Sequence, residues 1–159
     1  MSTNLRNRAE AMAVGLEIGS VGVEDVVAWA DSVIASEAEP HWSVCELATM
    51  GRSYEPDVVQ ALREVPGELD DTWVRHEVIR QLARGLAQDR TRADKIAQAL
   101  YNLAMAEELP DDELRSVAWW AWDALSLADD GIVEETRDQV IDKMLDALPA
   151  IRPRLTMAA

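Results

Sequence analysis

The residues best suited to chemistry in this sequence are carboxylates at helical spacing. Glu134, Asp138, Asp142 and Asp146 recur every four residues, with Glu135 beside the first. On one helix they would share a face next to an apolar stripe of Val140, Ile141, Met144, Leu145 and Leu148. A divalent cation on a triphosphate needs hard oxygen ligands of this kind. A second candidate is His76-Glu77 in "HEVIR", the first half of a helical zinc motif with Arg80 where the second histidine belongs. Without that ligand the zinc site is incomplete. His41 and Cys45 stand four apart and could ligate one zinc, but a helix-start histidine and a buried structural cysteine explain them more simply. No phosphate-binding loop and no GxSxG turn occurs. The sequence therefore implies no catalytic residues, no bound metal and no cofactor.

The segment Glu134-Glu135-Thr136-Arg137-Asp138 resembles the EExxE/D half of the magnesium site in all-helical nucleotide pyrophosphohydrolases of the MazG type. The resemblance implies a metal-dependent hydrolase acting through Glu134, Glu135 and Asp138, with Asp142 next on the face. That family pairs the motif with a second acidic motif on another helix. The upstream candidate, "EELPDDE", is interrupted by Pro110. A solvated acidic face is the simpler reading.

Two further groups are candidates for binding rather than catalysis. Trp73, His76, Arg80 and Arg84 form a polar stripe opposite Val74, Val78, Ile79, Leu82 and Leu86, the one basic patch of an acidic chain. It is either an anion site or is neutralised by carboxylates of the chain itself. Arg75, among the apolar positions, is expected to reach solvent or a carboxylate. The segment "SVAWWAWDALSLADDG" places Trp119, Trp120 and Trp122 within four residues. A helical wheel puts Trp120 and Trp122 at the edges of an apolar stripe, which predicts them as core filler. Trp119 points outward between Arg115 and Asp123, and these three form the candidate partner-binding group.

Apolar residues recur at the helical period throughout, and no convincing alternating strand is found. The punctuation predicts an all-α fold of about eight helices, stacked as antiparallel αα-hairpins in one globular domain spanning residues 1–159. Pro66-Gly67 and "ELDD" mark the one internal boundary, between four-helix halves 1–67 and 72–148. Pro40 should open a short helix, Thr72 should cap the helix of "WVRHEVIRQLARGLAQ", and the last helix should run from Val133 to Leu148, ended by Pro149 and Pro153.

The chain has 159 residues and a net charge of −15. Residues 10–71 carry fourteen acids against two bases, and residues 96–151 thirteen against three. This balance opposes binding to nucleic acid or to an anionic membrane, and any macromolecular partner should be basic. No apolar run is long enough to span a bilayer. The N-terminal stretch reads as an amphipathic helix rather than a signal peptide, and a cytoplasmic location is expected.

Between Gly15 and Ala48 the chain shows G-L-x-x-G (Gly15, Leu16, Gly19), then Val23, Asp25, Val26, Val27, Trp29, Ala30, Asp31 and Ile34, then Pro40 and Glu46-Leu47-Ala48. This pattern is similar to small uncharacterised all-helical bacterial proteins, some of them similar to immunity proteins encoded beside polymorphic toxins. The resemblance implies a non-catalytic protein-binding module that blocks a basic partner protein. An oligomeric scaffold or regulatory protein, assembling as a homo-oligomer, is the other non-enzymatic reading.

Overall fold

A computed structural model describes residues 3–148, and these form eight α-helices and one 3-10 turn. Among the described residues there is no strand. The expected role of Pro149 and Pro153 lies outside the described residues. The chain forms two compact units, one through Val74 and the other from Arg75 onward.

The first unit holds α1 (Thr3–Ile18), α2 (Val23–Ser36), α3 (Trp42–Ala48) and α4 (Glu55–Arg63). Helix α2 packs on α3, and α1 packs on α4. Their shared core is aliphatic and small: Ala9, Ala13, Leu16, Val26, Ala30, Val33, Val44, Leu47, Val58, Ala61, Leu62 and Val65. Arg63 of α4 clamps α1, donating to Glu10 at 3.0 Å and also to Glu17, two turns further along the same face. Partial burial works against the charged guanidinium, but the bonds to Glu10 and Glu17 outweigh it and raise the Arg63 pKa. Past Val65 the chain crosses α1 closely. Gly67 has φ +139, and a Cβ there would sit 2.8 Å from the Cβ of Arg6, so glycine is required on both counts. Buried Asn7 then accepts the Asp70 N–H at 2.8 Å, which ties the exit of this crossing to α1.

Helix α5 (Asp71–Gln88) begins one residue before Thr72. The expected Thr72 cap is replaced by Asp70, whose side chain accepts the Trp73 N–H at 3.1 Å. Asp is as good an N-cap as Thr, and its position sets the start. Arg75 is exposed and needs no buried partner.

In the second unit α5 leads through the 3-10 turn Arg90–Arg92 to α6 (Ala93–Met105), α7 (Asp112–Asp129) and α8 (Arg137–Ala147). Helix α7 packs on both α6 and α8. Two contacts fix the direction of the α6–α7 pair. Tyr101 meets Trp119, whereas Asp94, earlier on α6, shares Arg137 with Asp129, later on α7. Early residues of one helix oppose late residues of the other, so the two form an antiparallel hairpin. The buried residues of α6 include Ala93, Ala97, Leu100, Leu103 and Ala104, and those of α7 are Leu114, Ala118, Ala121 and Leu125.

The last helix starts later than the sequence pattern predicts. Thr136 accepts the Gln139 N–H at 3.2 Å, and the Gln139 side chain accepts the Thr136 N–H at 2.8 Å. This reciprocal capping box opens α8 at Arg137 and leaves Glu134 and Glu135 outside it.

Two outcomes follow from the capping. Thr136→Ala lowers stability by about 1 kcal/mol in urea denaturation, whereas Ser126→Ala on the exposed face of α7 changes it little. Asp89 accepts the Thr91 hydroxyl and N–H at the 3-10 turn, and these bonds hold its carboxyl below the ordinary aspartate range. Its contribution is therefore complete above the unfolded-state value and is lost as pH falls through the lowered native one. A carboxyl titration followed by NMR gives Asp89 a midpoint below that of an aspartate in a free peptide.

Candidate functional site

The acidic ladder does not form the expected metal face. Glu134 and Glu135 lie before the N-cap of α8, so they do not continue the helical ladder of Asp138 and Asp142. The acids are also engaged by cations. Arg90 donates to the Asp138 backbone carbonyl and to the Asp142 carboxylate, both at 2.9 Å, and Lys143 pairs with Glu135. A shallow depression of about 560 Å³ is lined by Glu134, Glu135, Gln139, Asp142 and Lys143. No group of three potential metal ligands converges among the described residues. A capping box between the second and third acids is the physical reason the spacing misleads.

The basic stripe is divided and locally engaged. Trp73, in the first unit, lies beneath the Arg8 guanidinium, 5.9 Å from its ring centroid. In the second unit Glu77, only 5% exposed, takes Arg80 at 3.3 Å and Arg84 at 3.0 Å. A buried carboxylate needs this compensation, so the motif-like Glu77 is an internal counter-ion. His76 is half-buried. The His41–Cys45 pair also resolves into structure. His41 is the N-cap of α3, its Nδ1 accepting the Ser43 N–H at 3.2 Å. Cys45, expected to be buried, is exposed.

The tryptophans of α7 depart from expectation in an informative way. Trp119 is 40% exposed, as the wheel predicts, but Trp122 is 38% exposed and is not core. Trp120 is half-buried. The buried line of α7 is Leu114, Ala118, Ala121 and Leu125. Its alanines let the neighbouring helices come close, and close approach leaves no volume for an indole. Trp119 and Trp122 instead lie on the outer face beside Tyr101 of α6. Tyr101 meets Trp119 edge to face at 4.9 Å and Trp122 at 6.3 Å with the rings tilted by 38°. Met105, one turn beyond Tyr101, is 61% exposed. Sequence reading missed Tyr101 and Trp122 as members of this face. Only the pairing of α6 with α7 brings Tyr101 to Trp119.

Carboxylates cluster where α6 passes into α7. The α6–α7 connection and the first turn of α7 present Glu107, Glu108, Asp111, Asp112 and Glu113, all exposed. Leu109 is buried between them and anchors the loop. Asp111 caps α7 by accepting the Leu114 N–H at 2.8 Å, and Asp112 pairs with Arg115 at 2.9 Å. The Arg115 Nε is buried with no hydrogen-bond partner. Asp123 is exposed further along α7. Glu107 itself has φ +57, the left-handed position that ends α6, with the Glu108 N–H reaching back to the Leu103 carbonyl at 2.9 Å. Helices closed this way ordinarily carry glycine there. A glutamate in that conformation is strained, and such strain concentrates at functional positions.

No protein-family model, no curated protein and no solved structure matches the chain.

The strain at Glu107 has a measurable consequence. Glu107→Gly relieves the left-handed conformation and raises stability by about 0.5–1 kcal/mol in chemical denaturation. Unchanged or lower stability would show that the glutamate side chain contributes more to the folded state than its backbone costs.

Proposed function

We propose that this protein is a non-catalytic module that binds another protein, and that the partner is basic. One observation carries the reading. None of the eight aromatic side chains is buried, and three of them, Tyr101, Trp119 and Trp122, lie together on the outer face of one helical hairpin. Tryptophan and tyrosine in such positions are the residues that dominate protein–protein binding energy. The expected group of Trp119, Arg115 and Asp123 is thereby enlarged by Tyr101 and Trp122.

Charge supports the choice of partner. The connection between the two helices that carry these rings presents a run of exposed carboxylates, and the chain as a whole carries −15. Such a surface steers a basic protein toward it and repels polyanions. Residues 15–48 resemble small all-helical bacterial proteins, some of them similar to immunity proteins, and that resemblance implies a module that binds and blocks another protein. No helix among the described residues is long and apolar enough to cross a membrane.

Affinity capture from a native lysate tests this reading with variants included. Wild-type protein retains a basic protein, retention falls as salt rises, and replacing Trp119 and Trp122 together by Ala lowers it at least about tenfold. Trp42→Ala, which removes an exposed indole of the first unit, leaves it unchanged. Capture that ignores the α7 substitutions, or self-association as the only binding seen, overturns the proposal.

A further inference from the structure

His41 opens α3 in a way that depends on its own charge. It stands at the N-cap with extended backbone, φ −63 and ψ 144, and its Nδ1 accepts the Ser43 N–H at 3.2 Å. An imidazole nitrogen accepts only while it carries no proton, so this bond requires the neutral ring with its hydrogen on Nε2. The Ser43 hydroxyl lies 2.7 Å from the same nitrogen. Ser43 is only 2% exposed, so water is a poor substitute for the ring as acceptor of its N–H. Helices are ordinarily capped by Asn, Asp, Ser or Thr, whose oxygens keep accepting near neutral pH. Histidine is the side chain that changes charge there.

A proton on Nδ1 turns the acceptor into a donor. The imidazolium then donates to the Ser43 hydroxyl, leaves the Ser43 N–H unpaired, and sets a positive charge at the positive end of the helix. Both effects oppose the first turn. The turn behind it is held independently, because Val44 and Leu47 are fully buried and α3 packs on α2 and α4. What the cap controls is therefore Trp42, which is 62% exposed and whose ring lies 5.4 Å from that of His41.

The elements packed on α3 are acidic. Helix α2 carries Glu24, Asp25 and Asp31, with Glu37 as its C-cap, and α4 opens on Glu55 and Asp57. Glu39 and Glu46 lie on either side of His41 along the chain. Arg63, the cation of α4, is taken by Glu10 and Glu17. Among the described residues none of these groups forms an ion pair with His41, whose hydrogen bonds both go to Ser43. The bond lost on proton uptake is thus local, and so is its consequence.

We propose that His41 is a proton-sensitive cap: the neutral ring holds the first turn of α3, and protonation releases that turn with Trp42 while the helix behind it stays packed. The contribution is present at neutral pH and is lost as pH falls through the histidine range.

The test compares the whole chain with His41→Asn between about pH 7.5 and 5.5, since asparagine caps as well and does not titrate. His76→Gln in both removes the other histidine. The melting temperature of the protein with His41 falls by about 2–4 °C more over this range than that of His41→Asn. Long-range ¹H–¹⁵N NMR on the same samples finds His41 protonated on Nε2 at the upper pH. As Nδ1 takes up its proton, the Ser43 amide and the Trp42 indole signals move with it, and in His41→Asn both stay in place. Three results overturn the proposal: a neutral ring protonated on Nδ1, equal pH dependence of melting in the two proteins, or Ser43 and Trp42 signals that ignore the His41 titration. The tautomer and the two signals are read in the chain that keeps His41, so they decide even where the asparagine variant folds poorly.

Discussion

The structure depends on an interior built from aliphatic side chains, with the aromatic rings at its margin or outside it. The fully buried large side chains are Leu, Ile, Met and Val, interspersed with buried alanines. Alanine seams allow backbones to approach closely, and a close-packed interior then has no room for an indole and no partner for its N–H. All eight aromatic residues are consequently at or near the surface. In a chain with no phenylalanine, that arrangement keeps the burial of large rings available for contact with something else.

The same economy governs charge. The bases act as clamps between elements: Arg63 joins α4 to α1, Arg137 joins α8 to α6 and α7, and Arg90 holds the start of α8. Hydrogen bonding to Asp94 raises the Arg137 pKa, with partial burial opposing and Asp129 adding to it, so this clamp stays charged at every pH where the fold is of interest. Each exposed pair contributes only about 0.2–1 kcal/mol. Their larger effect is on the outward field. Several arginines are paired within the fold while surplus carboxylates face solvent, and one run of them lies at the α6–α7 connection.

The helices were legible from the sequence because apolar period and punctuation agreed nearly everywhere. Pro40 marked a helix start that the structure places two residues on, at Trp42. The failures share a cause. Asp70 in place of Thr72, and the Thr136–Gln139 box in place of a start at Val133, are contests between good caps that spacing alone does not decide. The second contest dismantled the metal motif. The aromatic site was half visible: a wheel for α7 exposed Trp119, but it treated Trp122 as filler because it assumed a neighbour with room to accept it. Tyr101 belongs to the face only through the pairing of α6 with α7, which is a tertiary fact. Glu77 reads as part of a motif, and its role as the buried counter-ion of Arg80 and Arg84 appears only once burial is known.

The central claim is that the rings excluded from the interior are the ones that meet the partner. Solvent paramagnetic relaxation of fluorotryptophan-labelled protein, recorded alone and in complex with the captured partner, measures this directly. Trp119 and Trp122 should relax strongly in the free protein and become protected in the complex, while Trp42 stays accessible in both. Indoles of α7 that remain equally accessible after the partner binds would contradict the account.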